Sequence, residues 1–151
     1  LCDWSSDVCS SDLREQATLI DFEAVAEFWT APIGAAIRMQ NDFLHRELPF
    51  TARIRHEDLA AAGLAGSVTP IPPGEFVVAQ GAIDLAVILP REIWVLDFKT
   101  DRVSESALAE RVEQHGFQLR LYSLALERIY RRPVTRRWLH FIALRKTVAI
   151  E

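Results

Sequence analysis

The sequence predicts an α/β domain built on a mixed sheet, with elements in the order helix, strand, strand, strand, helix, strand. Three observations predict it. Apolar residues recur at helical spacing over Asp21 to Leu44, two apolar runs meet at Pro90-Arg91, and a long amphipathic stretch runs from Ser104 to Arg131.

In the first region Phe22, Val25, Ala26, Trp29, Ile33, Ala36, Ile37 and Phe43 fall on a helical stripe interrupted by Pro32 and Gly34. The spacing predicts two helices or one kinked helix, because proline lacks an amide donor and clashes with the preceding turn. Glu47 to Ile54 then reads as extended. Arg55 to Gly74 is rich in Ala, Gly and Pro, ends in Pro72-Pro73-Gly74, and reads as a connection closed by a turn. Phe76 to Leu89 is an apolar strand carrying one charge, Asp84, and Glu92 to Thr100 is a second strand that ends in charge. Their short connection predicts an antiparallel pair. Leu108, Val112, Leu119, Tyr122, Leu126 and Ile129 form the stripe of a helix that starts at Ser104 and is stopped by Pro133. Arg137 to Leu144, alternating around Trp138, His140 and Ile142, is expected as the final strand, reached by a helical crossover.

The first thirteen residues, LCDWSSDVCSSDL, stand apart. They lack the basic start and apolar core of a secretory signal, and Cys2 and Cys9 have no second pair with which to ligate a metal. Asp3 to Leu13 reads as one frame of a sequencing adapter, so residues 1–13 are expected to be an artefact and irregular. Residues 14–151 are then a single domain truncated at its N-terminus. The full chain has 17 basic and 21 acidic residues; without Asp3, Asp7 and Asp12 the balance is 17 against 18. The remainder holds no cysteine, which suits a reducing cytoplasm and excludes an iron–sulfur cluster or thiolate zinc site within it. No apolar run approaches the roughly 18 residues of a membrane span.

Chemistry concentrates in Gln80-Gly81-Ala82-Ile83-Asp84-Leu85 and Trp94-Val95-Leu96-Asp97-Phe98-Lys99-Thr100-Asp101. A carboxylate in the middle of an apolar strand is costly to bury without a partner, a proton or a metal. Asp97 and Lys99, two apart on a strand, project from one face while Leu96 and Phe98 take the other. If the hairpin pairs as its turn implies, Asp84 and Asp97 converge beside Lys99. Two carboxylates can hold a hard divalent cation that polarises a phosphodiester and activates water, with the lysine orienting that water or stabilising charge. The competing explanation is a solvated Asp-x-Lys ion pair with Asp84 as a satisfied structural acid.

Four motifs in order make the resemblance specific: His45-Arg46-Glu47-Leu48-Pro49-Phe50, then the Asp84 and Asp97-x-Lys99 segments, then Gln118-Leu119-Arg120-Leu121-Tyr122 with Ala125-Leu126. The chain resembles the RecB-like branch of the PD-(D/E)XK nuclease superfamily over about Glu23 to Leu144, and within it the nuclease domains of AddA-type helicase–nucleases. The resemblance implies a restriction-endonuclease-like core. It implies metal ligation by Asp84, Asp97 and the Phe98 backbone carbonyl, and a catalytic role for Lys99. It implies that Glu47 completes the site, the alternative being a surface acid at a strand start. Gln118 and Tyr122 match the helix motif and share a helix face, so that one can reach the catalytic region while the other meets DNA or supports the lysine; a core role for Tyr122 is the alternative.

Further implications are Mg²⁺, with Mn²⁺ as an alternative, and DNA ends or single strands as substrate. An AddB-like partner in double-strand break repair also follows, without membrane association. There is no G-x-x-x-x-G-K-[ST] loop, so an ATP-driven motor is expected only in a missing N-terminal part. The branch usually carries a histidine in its first helical region. None lies between Arg14 and Asn41, so it either preceded the junction or is lacking. A stand-alone RecB-like exonuclease and an inactive DNA-binding module of the same fold are the competing assignments. Arg128, Arg131, Arg132, Arg136, Arg137, Arg145 and Lys146 form a basic C-terminal part that can bind phosphates, or alternatively a solvated helix end. His56, His115 and His140 are expected as surface or strand residues.

Overall fold

The computed structural model describes residues 21–64, 66, 71–72 and 74–151. The stretch 1–13, expected to be irregular, lies outside the described residues. Helices α1 (Phe22–Thr30) and α2 (Pro32–Arg38) come first. Strand β1 (Leu44–Arg55), a short helix α3 (His56–Ala61), and strands β2 (Phe76–Ile88) and β3 (Ile93–Lys99) follow. The long helix α4 (Leu108–Tyr130) leads to β4 (Val134–Phe141) and β5 (Lys146–Ala149). The strands form one sheet in the order β1-β2-β3-β4-β5. Only β3 and β4 run parallel, joined by α4; the other neighbours are antiparallel. The mixed α/β core and its helix, three strands, helix, strand order are as expected.

The sheet is covered on both faces. On one face α4 packs Leu119, Ala125 and Leu126 against Phe50, Ile54, Ile83, Val95, Leu139 and Phe141. On the other, Phe28 of α1 and Ile37 of α2 close over Leu85, Val87, Trp94, Leu96 and Trp138. Each large apolar side chain buried this way contributes about 1.5–3 kcal/mol. That outweighs the few tenths lost to weak helix propensity at single positions, so packing rather than local preference fixes these elements.

Several boundaries differ from expectation. The sequence suggested that Gly34 breaks a helix, whereas it lies inside α2 at a point where the backbone of α1 leaves no room for a side chain. Pro32 begins α2 as its first residue, where its missing amide costs nothing. The segment after Arg55 holds α3, whose first turn is capped because Asp58 Oδ2 accepts the Arg55 backbone N–H at 2.7 Å. Helix α4 starts at Leu108 rather than Ser104, because the Ser104 hydroxyl bonds Ser106 Oγ at 2.9 Å instead of capping a backbone amide; a 3₁₀ turn over Glu105–Ala107 takes its place. β4 is not the final strand. Its chain leaves through a 3₁₀ turn over Ile142–Leu144 and Arg145 in the left-handed region, φ 52°, and returns as β5.

The β1–β2 hairpin contains one irregularity that bears on function. Pairing runs from Leu44↔Val87 to Arg46↔Leu85, resumes at Leu48↔Ile83, and leaves Glu47 and Asp84 facing each other unpaired. Glu47 has φ 48°, a left-handed conformation that costs a non-glycine residue free energy. Alternation inverts there. Leu44 packs on the α1 side while Leu48, Phe50, Ala52 and Ile54 pack on the α4 side; Ile83 faces α4 while Leu85 and Val87 face α1. Both strands exchange faces at the same level, so the hydrophobic pattern survives the kink.

Candidate active site

Past the pair Leu85↔Leu96 the β2–β3 ladder stops, one step before Asp84 would oppose Asp97. The strands separate there, and the Asp84 carboxylate enters the gap. Its Oδ2 accepts the Phe98 backbone N–H at 2.7 Å, taking the place of a main-chain acceptor. Because a strand residue presents its N–H and C=O to the same neighbour, the Phe98 carbonyl faces this gap as well.

Asp97 and Lys99 share a face, as their spacing implied, with Leu96 and Phe98 on the other. Lys99 Nζ lies 2.7 Å from Asp97 Oδ2, with the side chains only 14% and 11% exposed. That contact lacks hydrogen-bond geometry, and the buried Asp97 Oδ2 has no hydrogen-bond partner among the described residues. Burial lifts the Asp84 carboxyl above the usual carboxylate range. The Phe98 N–H opposes that shift, the Asp97 and Glu47 charges add to it, and Lys99 offsets part of it. Three acids and one lysine thus leave the gap with a surplus of negative charge.

Glu47, exposed, and Asp84 line a cleft of about 430 Å³ on the α1 side, together with Val25, Trp29, Arg46, Phe98 and Thr100. Asp97 and Lys99 are not among the residues that line it. Gln118 and Tyr122 are elsewhere on α4: Gln118 Nε2 donates to the Tyr122 hydroxyl at 2.7 Å, and the Tyr122 ring meets Phe50 edge-on at 4.9 Å under Gly81. Among the described residues neither hydrogen-bonds an acid of the site or Lys99.

Two features escaped the sequence. Trp29 and Arg46 border the cleft, although the stripe marked Trp29 only as apolar. His140, expected at the surface or in a strand, is a fully buried strand residue packed against Phe28 at 4.6 Å and Phe98 at 5.7 Å. Its Nδ1 pairs with the Thr147 hydroxyl at 2.8 Å. Burial lowers its affinity for a proton below the ordinary value of 6.5, Glu27 opposing weakly. The unfolded chain therefore binds more protons near and below that pH, so stability present at neutral pH is lost as pH falls through about 6.5. Melting the chain and His140→Gln across this range should show a steeper acid-side decline in the parent; parallel curves would exclude His140 as the source.

The basic C-terminal part is largely engaged within the fold. Arg128 pairs with Asp58, Arg132 donates to the Leu89 carbonyl at 2.9 Å, and Arg137 donates to Ser123 Oγ at 3.0 Å. The Arg136 guanidinium lies 4.3 Å from the Trp94 ring centroid, and Arg145 binds Glu27 at 2.8 Å. These contacts favour a structural role over a phosphate-binding stripe. No helix among the described residues is long and apolar enough to cross a membrane.

The family model described as the PD-(D/E)XK nuclease superfamily matches residues 6–148. The A subunit of the ATP-dependent helicase/nuclease of Carboxydothermus hydrogenoformans is 31% identical over 138 residues, which is 90% of this chain and 11% of that relative. The proteins of the same name from Moorella thermoacetica and Anoxybacillus flavithermus are 33% and 36% identical over 128 and 130 residues. These matches cover 85% and 84% of this chain and 8% and 9% of the relatives' own lengths. The chain spans about a tenth of the length of these curated relatives.

Proposed function

The chain belongs to the PD-(D/E)XK nuclease superfamily, and on that footing we propose that it hydrolyses DNA phosphodiester bonds as a Mg²⁺-dependent exonuclease. Its setting would be a helicase–nuclease that processes double-strand breaks. The observation that carries this reading is the Asp84 carboxylate inserted between the parted ends of β2 and β3, next to Asp97 and Lys99.

The residues fit a divalent cation. Asp97 Oδ2 is buried without a hydrogen bond, the Asp84 carboxyl is disfavoured as an anion by burial and by its acidic neighbours, and the Phe98 carbonyl faces the same gap. No three His, Cys, Asp or Glu side chains form a ready-made cage among the described residues. Magnesium suits that poverty of ligands, since it keeps several waters and takes one or two carboxylates plus substrate phosphate. Asp84, Asp97 and the Phe98 carbonyl would hold it, with Glu47 at the rim. Once bound, the ion supplies Lewis acidity and a more acidic water. Asp84 keeps its orientation through the Phe98 N–H. Lys99 places a positive charge beside the carboxylates, where negative charge grows on the phosphate.

The motor activity, an AddB-like partner and the role in repair are proposals drawn from the relatives' name and the family. The nuclease itself is tested by incubating end-labelled linear and circular single-stranded DNA with the chain in Mg²⁺ or EDTA. Linear DNA should be degraded in Mg²⁺ only and circular DNA spared, and Asp97→Ala and Lys99→Ala should lose cleavage. Equal cleavage by parent and both variants would overturn the reading.

A further inference from the structure

The cleft beside Asp84 has features that metal binding leaves unused. Arg46 projects on the same sheet face as its partner Leu85, and among the described residues it is the cation on the cleft wall. It makes no ion pair or side-chain hydrogen bond within the described residues, although Glu47 and Asp84 stand beside it on the wall. Arg128, Arg132, Arg137 and Arg145, by contrast, are tied to carboxylates or a carbonyl. Opposite, on α1, Trp29 is half-buried: part of it packs against Phe28, with ring centroids 5.0 Å apart, and the rest lines the cleft. An aromatic ring, an uncommitted guanidinium and a pair of acids thus face one another across a space of about 430 Å³.

We infer that Trp29 and Arg46 form a single-nucleotide subsite of the nuclease, Trp29 stacking on a base and Arg46 holding the phosphate next to the one that is cut. The inference rests on the nuclease reading. Phosphate approaching Glu47 and Asp84 meets repulsion, which a free guanidinium at the rim offsets by binding the neighbouring phosphate. Base stacking on an aromatic side chain needs an exposed base face, which a strand offers only when unpaired. The subsite therefore selects single-stranded DNA over duplex and tolerates any base, as stacking does.

Anisotropy of a labelled short single strand in EDTA, where cleavage does not occur, tests it. The parent should bind a base-bearing strand roughly tenfold more tightly than an abasic strand of equal length. Trp29→Leu, which retains apolar packing, should abolish that ratio, and Trp29→Phe should restore most of it. Arg46→Gln should weaken both strands and reduce the slope of log affinity against log salt by about 0.7. A Trp29→Leu protein that keeps the parent's ratio, or an Arg46→Gln protein with an unchanged salt slope, would overturn the subsite even while Mg²⁺-dependent cleavage persists. No binding of any DNA by the parent, with no cleavage, would overturn the nuclease reading itself.

Discussion

Asp84→Asn is expected to abolish DNA cleavage and, in the same protein, to raise the stability of the metal-free chain. The Asn oxygen can still accept the Phe98 N–H that Asp84 Oδ2 accepts at 2.7 Å, so the parted strand ends keep their bridge. The charge that would hold the metal is gone, and cleavage should fall on the order of 10³-fold, equivalent to about 4 kcal/mol of barrier. Stability moves the other way. Burial and the Asp97 and Glu47 charges raise the folded-state pKa of Asp84 above its ordinary 3.8. The folded chain thus holds a proton that the unfolded chain has released, and stability declines as pH rises from 3.8 through the raised value. At neutral pH the penalty is fully present, and removing it should gain about 0.5–1 kcal/mol. Melting in EDTA at neutral pH should show the variant higher, and Mg²⁺ should raise the parent alone. A variant that melts below the parent in EDTA would contradict this picture of the site.

Gly34→Ala should be among the most destabilising single changes in the domain. A Cβ at Gly34 would collide with the Phe28 carbonyl oxygen and come within 2.8 Å of Phe28 C and 2.9 Å of Trp29 Cα. All three are backbone atoms of α1, so no side chain can swing aside. Relief requires α2 to lift from α1, which unseats Phe28 from the cluster it shares with Phe98 and His140. A loss of roughly 3 kcal/mol, or roughly 6–12 °C in melting temperature, is expected. Cleavage should weaken as well, since α1 forms one wall of the cleft. Gly116→Ala, on α4, is the contrasting case: its Cβ would meet Arg120 and Ile150 at 3.5 Å and 3.6 Å, ordinary contact distances. It should stabilise by about 0.5–1 kcal/mol through helix propensity. Differential scanning of the two variants decides the point, and similar effects at both glycines would refute the close-approach argument.

What could be read in the sequence was whatever local periodicity encodes. The β2–β3 hairpin was legible because a short turn leaves little freedom of register, and Asp97-x-Lys99 because a strand's alternation fixes which side chains share a face. The Asp84–Phe98 bond was only partly legible, since the sequence showed that Asp84 needs a partner but not that the ladder opens to supply one. α3 was hidden by an Ala- and Gly-rich composition, although Asp58 at the third helical position was a cap signal. β5 was hidden because Arg145 takes a left-handed turn that no glycine announces. The fates of Arg128, Arg132, Arg136 and Arg137 were not legible at all. A run of arginines looks the same whether its charges meet phosphate or Asp58, Leu89, Trp94 and Ser123, and only the fold decides.

The matched exchange of faces at Glu47 and Asp84 limits how the chain can change in length. On one side of that level Leu48, Phe50, Ala52 and Ile54 of β1 and Ala79 and Ile83 of β2 pack on the α4 side, in a phase inverted relative to Leu44, Leu85 and Val87 on the other side of the acids. A one-residue insertion or deletion between Leu44 and Ile54, or between Val77 and Val87, would shift one phase without the other and turn core residues to solvent. Length variation between relatives should therefore be scarce within these two strands. The acids themselves should stay at a fixed count of residues from the hairpin arms on both strands.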